Sequence, residues 1–174
     1  MGTKFLFVAE HDTYTGCIIK VARTPHSDNA RINLERGCTI EHEFEILSCL
    51  GVAPFMTRLI DGWKKDDTHE RTTLMEPYFP SKNLYDFAES KLTQAQFKKV
   101  FGQILAAVRY LHHEVHLYHR DLSPGNILIA DDLRVRIIDF SNALYMKDVV
   151  PIVRGPVVGG ALFLNIVYFS HQYL

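Results

Sequence analysis

The stretch that decides the fold runs from Tyr118 to Phe140 and reads Y-H-R-D-L-S-P-G-N-I-L-I-A-D-D-L-R-V-R-I-I-D-F. Two short apolar runs in it are separated by the polar pair D-D, a pattern that predicts a β-hairpin. Asp121 precedes this hairpin, Asn126 begins it and Asp139 ends it, so three oxygen-bearing side chains come together. Because Mg²⁺ takes oxygen ligands and usually keeps water and phosphates as partners, the stretch predicts a metal–phosphate site with a spare acid nearby.

The composition sets broad limits on the class of protein. The 174 residues suit one domain with two lobes, and the hydrophobic fraction of 47% is enough for a core. A net charge of −1 gives no argument for nucleic acid or for an anionic membrane as a partner. The three cysteines are odd in number and form no C-x-x-C pair, so we expect a reduced, intracellular and cytoplasmic setting.

The spacing of Asp121, Asn126 and Asp139 resembles two motifs of the protein kinase family, H-R-D-x-x-x-x-N and D-F-G. The resemblance implies that Asp121 accepts the proton of the substrate hydroxyl. It also implies that Asn126 and Asp139 bind Mg²⁺, and it assigns Asn126 to the catalytic set as well. Leu128, in the strand that follows Asn126, is implied to contact ATP.

The N-terminal part predicts two strands, over 5–9 and 17–22, with Lys20 in the second. Taken alone, a lysine among β-branched residues is usually a solvated strand residue. In the kinase resemblance Lys20 contacts the ATP phosphates. From these roles we expect Lys20→Met to weaken nucleotide binding or turnover with little change in the fold.

A helix is predicted over 39–50, with Gly51 ending it. Glu43 precedes Ile46 and Leu47 by three and four positions, so it lies on their face, toward the core. This placement selects Glu43 as the ion-pair partner of Lys20.

The middle of the chain predicts strands over 55–63 and 71–75, followed by M-E-P-Y-F. This string resembles the hinge between the kinase lobes, and the resemblance implies that the backbone of Glu76 and Tyr78 meets adenine. Met75 would guard the back of the pocket. A short helix over 84–90 follows, and then a long one that Thr93 opens with a capping box to Gln96.

The resemblance extends over about residues 5–143 and departs from the family at both ends. The first strand and the glycine-rich loop are not matched ahead of it, and Ser141 stands where D-F-G has glycine. The predicted architecture is therefore α+β, a protein-kinase-like fold with an incomplete C-lobe. Its parts are an N-lobe over about 1–76, a hinge over 76–79, a partial C-lobe over 80–148 and an unmatched apolar tail over 149–174.

The activity that the resemblance implies is transfer of the γ-phosphoryl group of ATP, with Mg²⁺, to a hydroxyl of a protein, Ser or Thr. Two alternatives stay open. Ser123 and the string D-L-S-P-G-N also resemble small-molecule phosphotransferases of the aminoglycoside and choline kinase type. A catalytically inactive kinase-like binding module is the other.

Overall fold

The computed structural model describes residues 4–14, 16–23, 40–64, 71–88 and 93–148. The first unit comprises the residues up to Ala53, Thr57–Pro80 and Phe140–Asn142, and the second comprises Pro54–Met56, Ser81–Asp139 and the residues from Ala143. The antiparallel sheet of the first unit and the helices of the second confirm the predicted α+β class. The predicted tail over 149–174 lies outside the described residues.

The first unit is built on a four-stranded antiparallel sheet with strand order β1-β2-β4-β3. In the sheet Lys20 stands opposite Leu74, and Ile18 stands opposite Glu76. Since opposite residues share a face and alternate residues return to it, Lys20 and Glu76 occupy the same face of the sheet. The strands are β1 (Lys4–Ala9), β2 (Cys17–Arg23), β3 (Asp61–Lys64) and β4 (Arg71–Pro77).

The strand predicted over 55–63 is wrong in its first half. Phe55 has a φ of 59°, a left-handed conformation that an extended strand does not contain. Only a single parallel bridge, from Met56 to Ile137, forms in this half. Regular pairing begins at Asp61, where the chain lies against β4.

Helix α1 (Ile40–Leu50) turns one face to the interior of the first unit. Ile46 and Leu47 are buried together with Glu43, as the helical spacing predicted, and Glu45 is exposed. Gly51 has a φ of 62°, and its N–H donates to the Leu47 carbonyl at 3.1 Å. The left-handed glycine therefore ends the helix, as predicted.

The second unit packs two helices against a small sheet. Helix α2 (Leu84–Ala88) is short, and helix α3 (Gln94–Tyr110) continues into a π-helical turn over Leu111–Val115. The predicted capping box of Thr93 and Gln96 is confirmed, with both reciprocal bonds present. The core cluster consists of Phe87, Val100, Ile104, Ile127, Ile129 and Val135.

The predicted hairpin is confirmed as strands β7 (Ile127–Ile129) and β8 (Val135–Ile137), with β5 (Lys82–Asn83) on the outer side of β7. Its turn is closed by the Arg134 N–H, which donates to Asp132 Oδ1 at 3.1 Å. A second pair, β6 (Leu117–Tyr118) and β9 (Leu144–Tyr145), lies at either end of this stretch of chain. None of the helices in the described ranges is long and apolar enough to cross a membrane.

Candidate active site

Lys20 lies at the centre of a buried polar cluster in the first unit. Its Nζ donates to Glu43 Oε1 at 2.7 Å and lies 2.5 Å from Glu76 Oε1. The second oxygen of Glu76 accepts a hydrogen bond from Thr57 Oγ1 at 2.6 Å. Lys20 keeps 9% of its surface exposed and Glu43 none. The predicted pair of Lys20 and Glu43 is thus present, but a second carboxylate shares the same ammonium.

The surroundings of Lys20 hold it in the charged state. Burial alone would lower the pKa of this ammonium, and burial is the largest influence on it. The carboxylates of Glu76 and then Glu43 more than offset that influence, so the pKa of Lys20 is raised. A permanently charged lysine is what a phosphate-binding residue requires.

Glu43 also contacts the backbone that follows Asp139. The N–H of Phe140 donates to Glu43 Oε1 at 3.2 Å, the same oxygen that accepts from Lys20. Phe140 itself is fully buried in the first unit, where its short 3-10 turn packs on α1. One carboxylate therefore fixes both the lysine and the position of Phe140.

In the second unit, His119 fixes the loop that carries Asp121. The imidazole is buried, and its Nδ1 accepts from the Asp121 N–H at 3.3 Å while Nε2 lies 3.1 Å from the Ile138 carbonyl. This pattern requires a neutral ring with its proton on Nε2. Burial lowers the pKa of His119 despite the Ile138 carbonyl and the two nearby aspartates, which favours that neutral form.

Asn126 connects the two acids of the predicted metal–phosphate site. Its Nδ2 donates to the Asp121 carbonyl at 2.9 Å and to Asp121 Oδ2 at 3.1 Å. Its own backbone carbonyl accepts from the Ile138 N–H at 3.0 Å, which places Asn126 across the hairpin from the residue before Asp139. With the amide nitrogen directed at Asp121, the amide oxygen is the atom that suits a cation.

The predicted ligands of Mg²⁺ are both oxygen donors, the Asn126 amide and the Asp139 carboxylate. Within the described ranges, no group of three or more His, Cys, Asp or Glu side chains converges on a point. Two such donors suit Mg²⁺ only together with phosphates and water, and their magnesium role stays a prediction. Asp139 has a φ of 63°, a left-handed conformation that Asp and Asn tolerate better than most residues.

The adenine contacts implied for the backbone of Glu76 and Tyr78 stay a prediction. In the structure the N–H of Tyr78 donates to the Gly16 carbonyl at 3.0 Å. Met75 stands opposite Ile19 in the sheet, whereas Lys20 stands opposite Leu74, so Met75 and Lys20 belong to different faces of the sheet. The residue that shares the face of Lys20 is Glu76, and it contributes there through its side chain.

Sequence reasoning missed three contributors to these clusters: the His119 ring, the Thr57 hydroxyl and the Glu76 carboxylate. His119 was visible as the first letter of H-R-D. Thr57 and Glu76 lie 19 positions apart and carried no local signal, because only the pairing of β4 with β2 brings Glu76 to Lys20. Leu128 is half-buried between the buried Ile127 and Ile129, and its nucleotide contact stays a prediction.

Comparison with known proteins identifies the family of the chain that carries these clusters. A family model described as a protein kinase domain matches residues 5–156. The chain belongs to the protein kinase family. The match includes Lys20, Glu43 and the whole stretch from Tyr118 to Phe140.

Three kinases illustrate the similarity within the protein kinase family. The chain is 31% identical over 113 residues to the serine/threonine-protein kinase PSK1 of Saccharomyces cerevisiae, which is 63% of this chain and 8% of that protein. It is 34% identical over 111 residues to the carbon catabolite-derepressing protein kinase of Candida albicans, which is 63% of this chain and 17% of that protein. It is 36% identical over 78 residues to mitogen-activated protein kinase kinase 2 of Arabidopsis thaliana, which is 44% of this chain and 22% of that protein. The matched parts thus span less than a quarter of each of these kinases.

Proposed function

We propose that this protein transfers the γ-phosphoryl group of ATP to a Ser or Thr hydroxyl of a protein, with Mg²⁺. The observation that carries the proposal is the hydrogen bond of Asn126 to Asp121 at the mouth of a hairpin whose second strand leads to Asp139. Family membership and the serine/threonine kinases among the similar proteins support the same chemistry.

In this proposal, Asp121 is the acceptor of the substrate proton. Asn126 and His119 fix its carboxylate and its backbone, so the acid has one orientation. As the hydroxyl proton passes to Asp121, the hydroxyl oxygen bonds to the γ-phosphorus and the bond to ADP breaks. Substrate positioning of this kind supplies much of the rate enhancement in phosphoryl transfer.

The remaining residues bind the nucleotide. Lys20 would contact the phosphates, with Glu43 ordering it, while Glu76 and Leu128 would contribute to the adenine side. Asn126 and Asp139 would bind Mg²⁺, which when present offsets phosphate charge and orients the γ-phosphoryl group. Each of these roles is part of the proposal.

The experiment that tests the proposal follows labelled γ-phosphate from Mg·ATP. The purified chain is incubated with a panel of unfolded proteins, with an aminoglycoside and with choline. We expect label on protein Ser or Thr, and loss of labelling in Asp121→Asn, a variant of the same shape that cannot accept the proton. Label on the aminoglycoside or on choline would assign the small-molecule class instead. Mg·ATP binding without transfer to any acceptor would assign an inactive binding module.

A further inference from the structure

The Lys20 cluster contains one more negative charge than its ammonium neutralises. Glu43 and Glu76 both lie within ion-pair distance of Lys20 Nζ, and all three side chains are buried. A single carboxylate is enough to balance one buried ammonium, and a second buried charge is costly. The kinase chemistry proposed above gives Glu76 an adenine contact through its backbone and gives its carboxylate no role, so the buried carboxylate calls for a separate explanation.

The two glutamates are not equivalent in their other contacts. Glu43 shares its Oε1 between Lys20 and the Phe140 N–H, and so connects the lysine to the D-F segment. Glu76 is instead fixed by Thr57 Oγ1, at 2.6 Å, and by its place in β4. Glu76 therefore holds the Lys20 ammonium to β4, whereas Glu43 holds it to α1 and to the Phe140 N–H.

We propose that Glu76 limits nucleotide affinity: its carboxylate competes with the ATP phosphates for the Lys20 ammonium, whereas Glu43 orders that ammonium for them. This inference rests on the proposed function, because it takes Lys20 as the phosphate-binding residue. Both carboxylates raise the pKa of Lys20 against the effect of burial, so each of them stabilises the charged ammonium.

Competition between Glu76 and the ATP phosphates predicts a different effect on Mg·ATP affinity than net charge alone predicts. Glu76→Gln and Glu43→Gln each remove one negative charge from the same ammonium and keep the shape of the side chain. If only the net charge near the phosphates mattered, both variants would bind Mg·ATP more tightly. If Glu76 competes and Glu43 orders the lysine, the two variants change the affinity in opposite directions.

The test measures the Kd for Mg·ATP by calorimetry on the wild-type chain, Glu76→Gln and Glu43→Gln, each checked for folding by circular dichroism. We expect Glu76→Gln to lower the Kd about tenfold, as for one partly screened charge a few ångströms from the phosphates. We expect Glu43→Gln to raise it by a similar factor. Glu76→Met serves as a second variant, because it leaves Lys20 and Glu43 as a neutral pair and should also bind more tightly.

Each other outcome counts against the inference in a distinguishable way. A wild-type chain that binds Mg·ATP, with Glu76→Gln and Glu76→Met binding equally well or more weakly, overturns the competition and leaves the proposed function intact. Tighter binding by both Glu76→Gln and Glu43→Gln reduces the effect to net charge and also overturns it. If none of the folded proteins binds Mg·ATP, the proposed function fails and the inference fails with it. If both Glu76 variants unfold, the carboxylate is a structural requirement and not a competitor.

Discussion

The contacts of Lys20 in the structure change the effect that we expect from substituting this residue. The sequence predicted one partner for it and hence little effect of Lys20→Met on the fold. In the structure the lysine forms ion pairs with two buried carboxylates, Glu43 and Glu76. Removing the ammonium would leave both without their cation, which is among the costlier changes a protein interior can undergo.

We therefore predict that Lys20→Met lowers the free energy of unfolding by about 3 kcal/mol, as expected when a buried ion pair loses one partner. Urea denaturation of the two proteins measures the difference. Lys82→Met, at an exposed position, is the matched control and should change the stability little. Equal stability of Lys20→Met and the wild type would contradict the buried cluster.

Asp139 is the residue that tests the metal assignment. Asn tolerates the left-handed conformation found here, so Asp139→Asn keeps the backbone and the shape while it removes the charge. We predict loss of Mg²⁺-dependent ATP binding with unchanged stability. Titration of Mg²⁺ at fixed ATP measures this dependence for both proteins.

The alternative for Asp139 is a turn acid that caps a backbone N–H. That role predicts intact Mg²⁺ dependence and a loss of stability of about 1 kcal/mol or less, because Asn also caps well. The same titration, combined with thermal denaturation, separates the two roles.

At the scale of elements, helix α3 is the segment whose limits follow most directly from local sequence. The Gln96 N–H donates to Thr93 Oγ1 at 3.3 Å, and the Thr93 N–H donates to Gln96 Oε1 at 2.9 Å. The helix also contributes Val100 and Ile104 to the core of the second unit. Its N-terminal cap therefore supports an element on which that core depends.

For this cap we predict that Thr93→Ala lowers the free energy of unfolding by about 1 kcal/mol, the usual cost of removing an N-cap side chain. Thr93→Asn should retain most of the stability, because Asn is also a good N-cap residue. Chemical denaturation of the three proteins gives the comparison. A stability for Thr93→Asn as low as that of Thr93→Ala would show that the cap bond is not the source of the effect.

Considered as a whole molecule, the protein should be sensitive to mild acid because of one buried ring. The pKa of His119 is lowered from the ordinary 6.5 by burial, against the influence of the Ile138 carbonyl, Asp121 and Asp139. Below pH 6.5 the unfolded chain therefore binds a proton at this ring before the folded chain does. Folding stability is complete above that pH and falls as the pH drops toward the lowered value.

We predict that the midpoint temperature of thermal unfolding decreases when the pH is lowered from 7 to 5. We also predict that His119→Gln makes this decrease smaller. The glutamine does not titrate, and its amide can donate as Nε2 does. Burial also lowers the pKa of His112, so some dependence should persist in the variant. An equal slope for His119→Gln and wild type would contradict the neutral buried ring.

The sequence by itself determined the helices and the hairpin, whose residues are neighbours along the chain. Hydrophobic spacing predicted α1 and α3, and the D-D turn between apolar runs predicted the hairpin of β7 and β8. Such patterns succeed because a helix or a hairpin is specified by residues only a few positions apart. The same locality made the positions of Asp121, Asn126 and Asp139 readable as one site.

Only the tertiary structure decided which distant side chains form ion pairs with one another. The pairing of β2 with β4 sets Glu76, not Met75, on the face of Lys20, and a shift of one residue would reverse that choice. The left-handed Phe55 likewise interrupted a strand that its apolar neighbours predicted. Strand register and backbone handedness depend on packing between segments far apart in the chain. For that reason, the second acid on Lys20 became visible only when the sheet was formed.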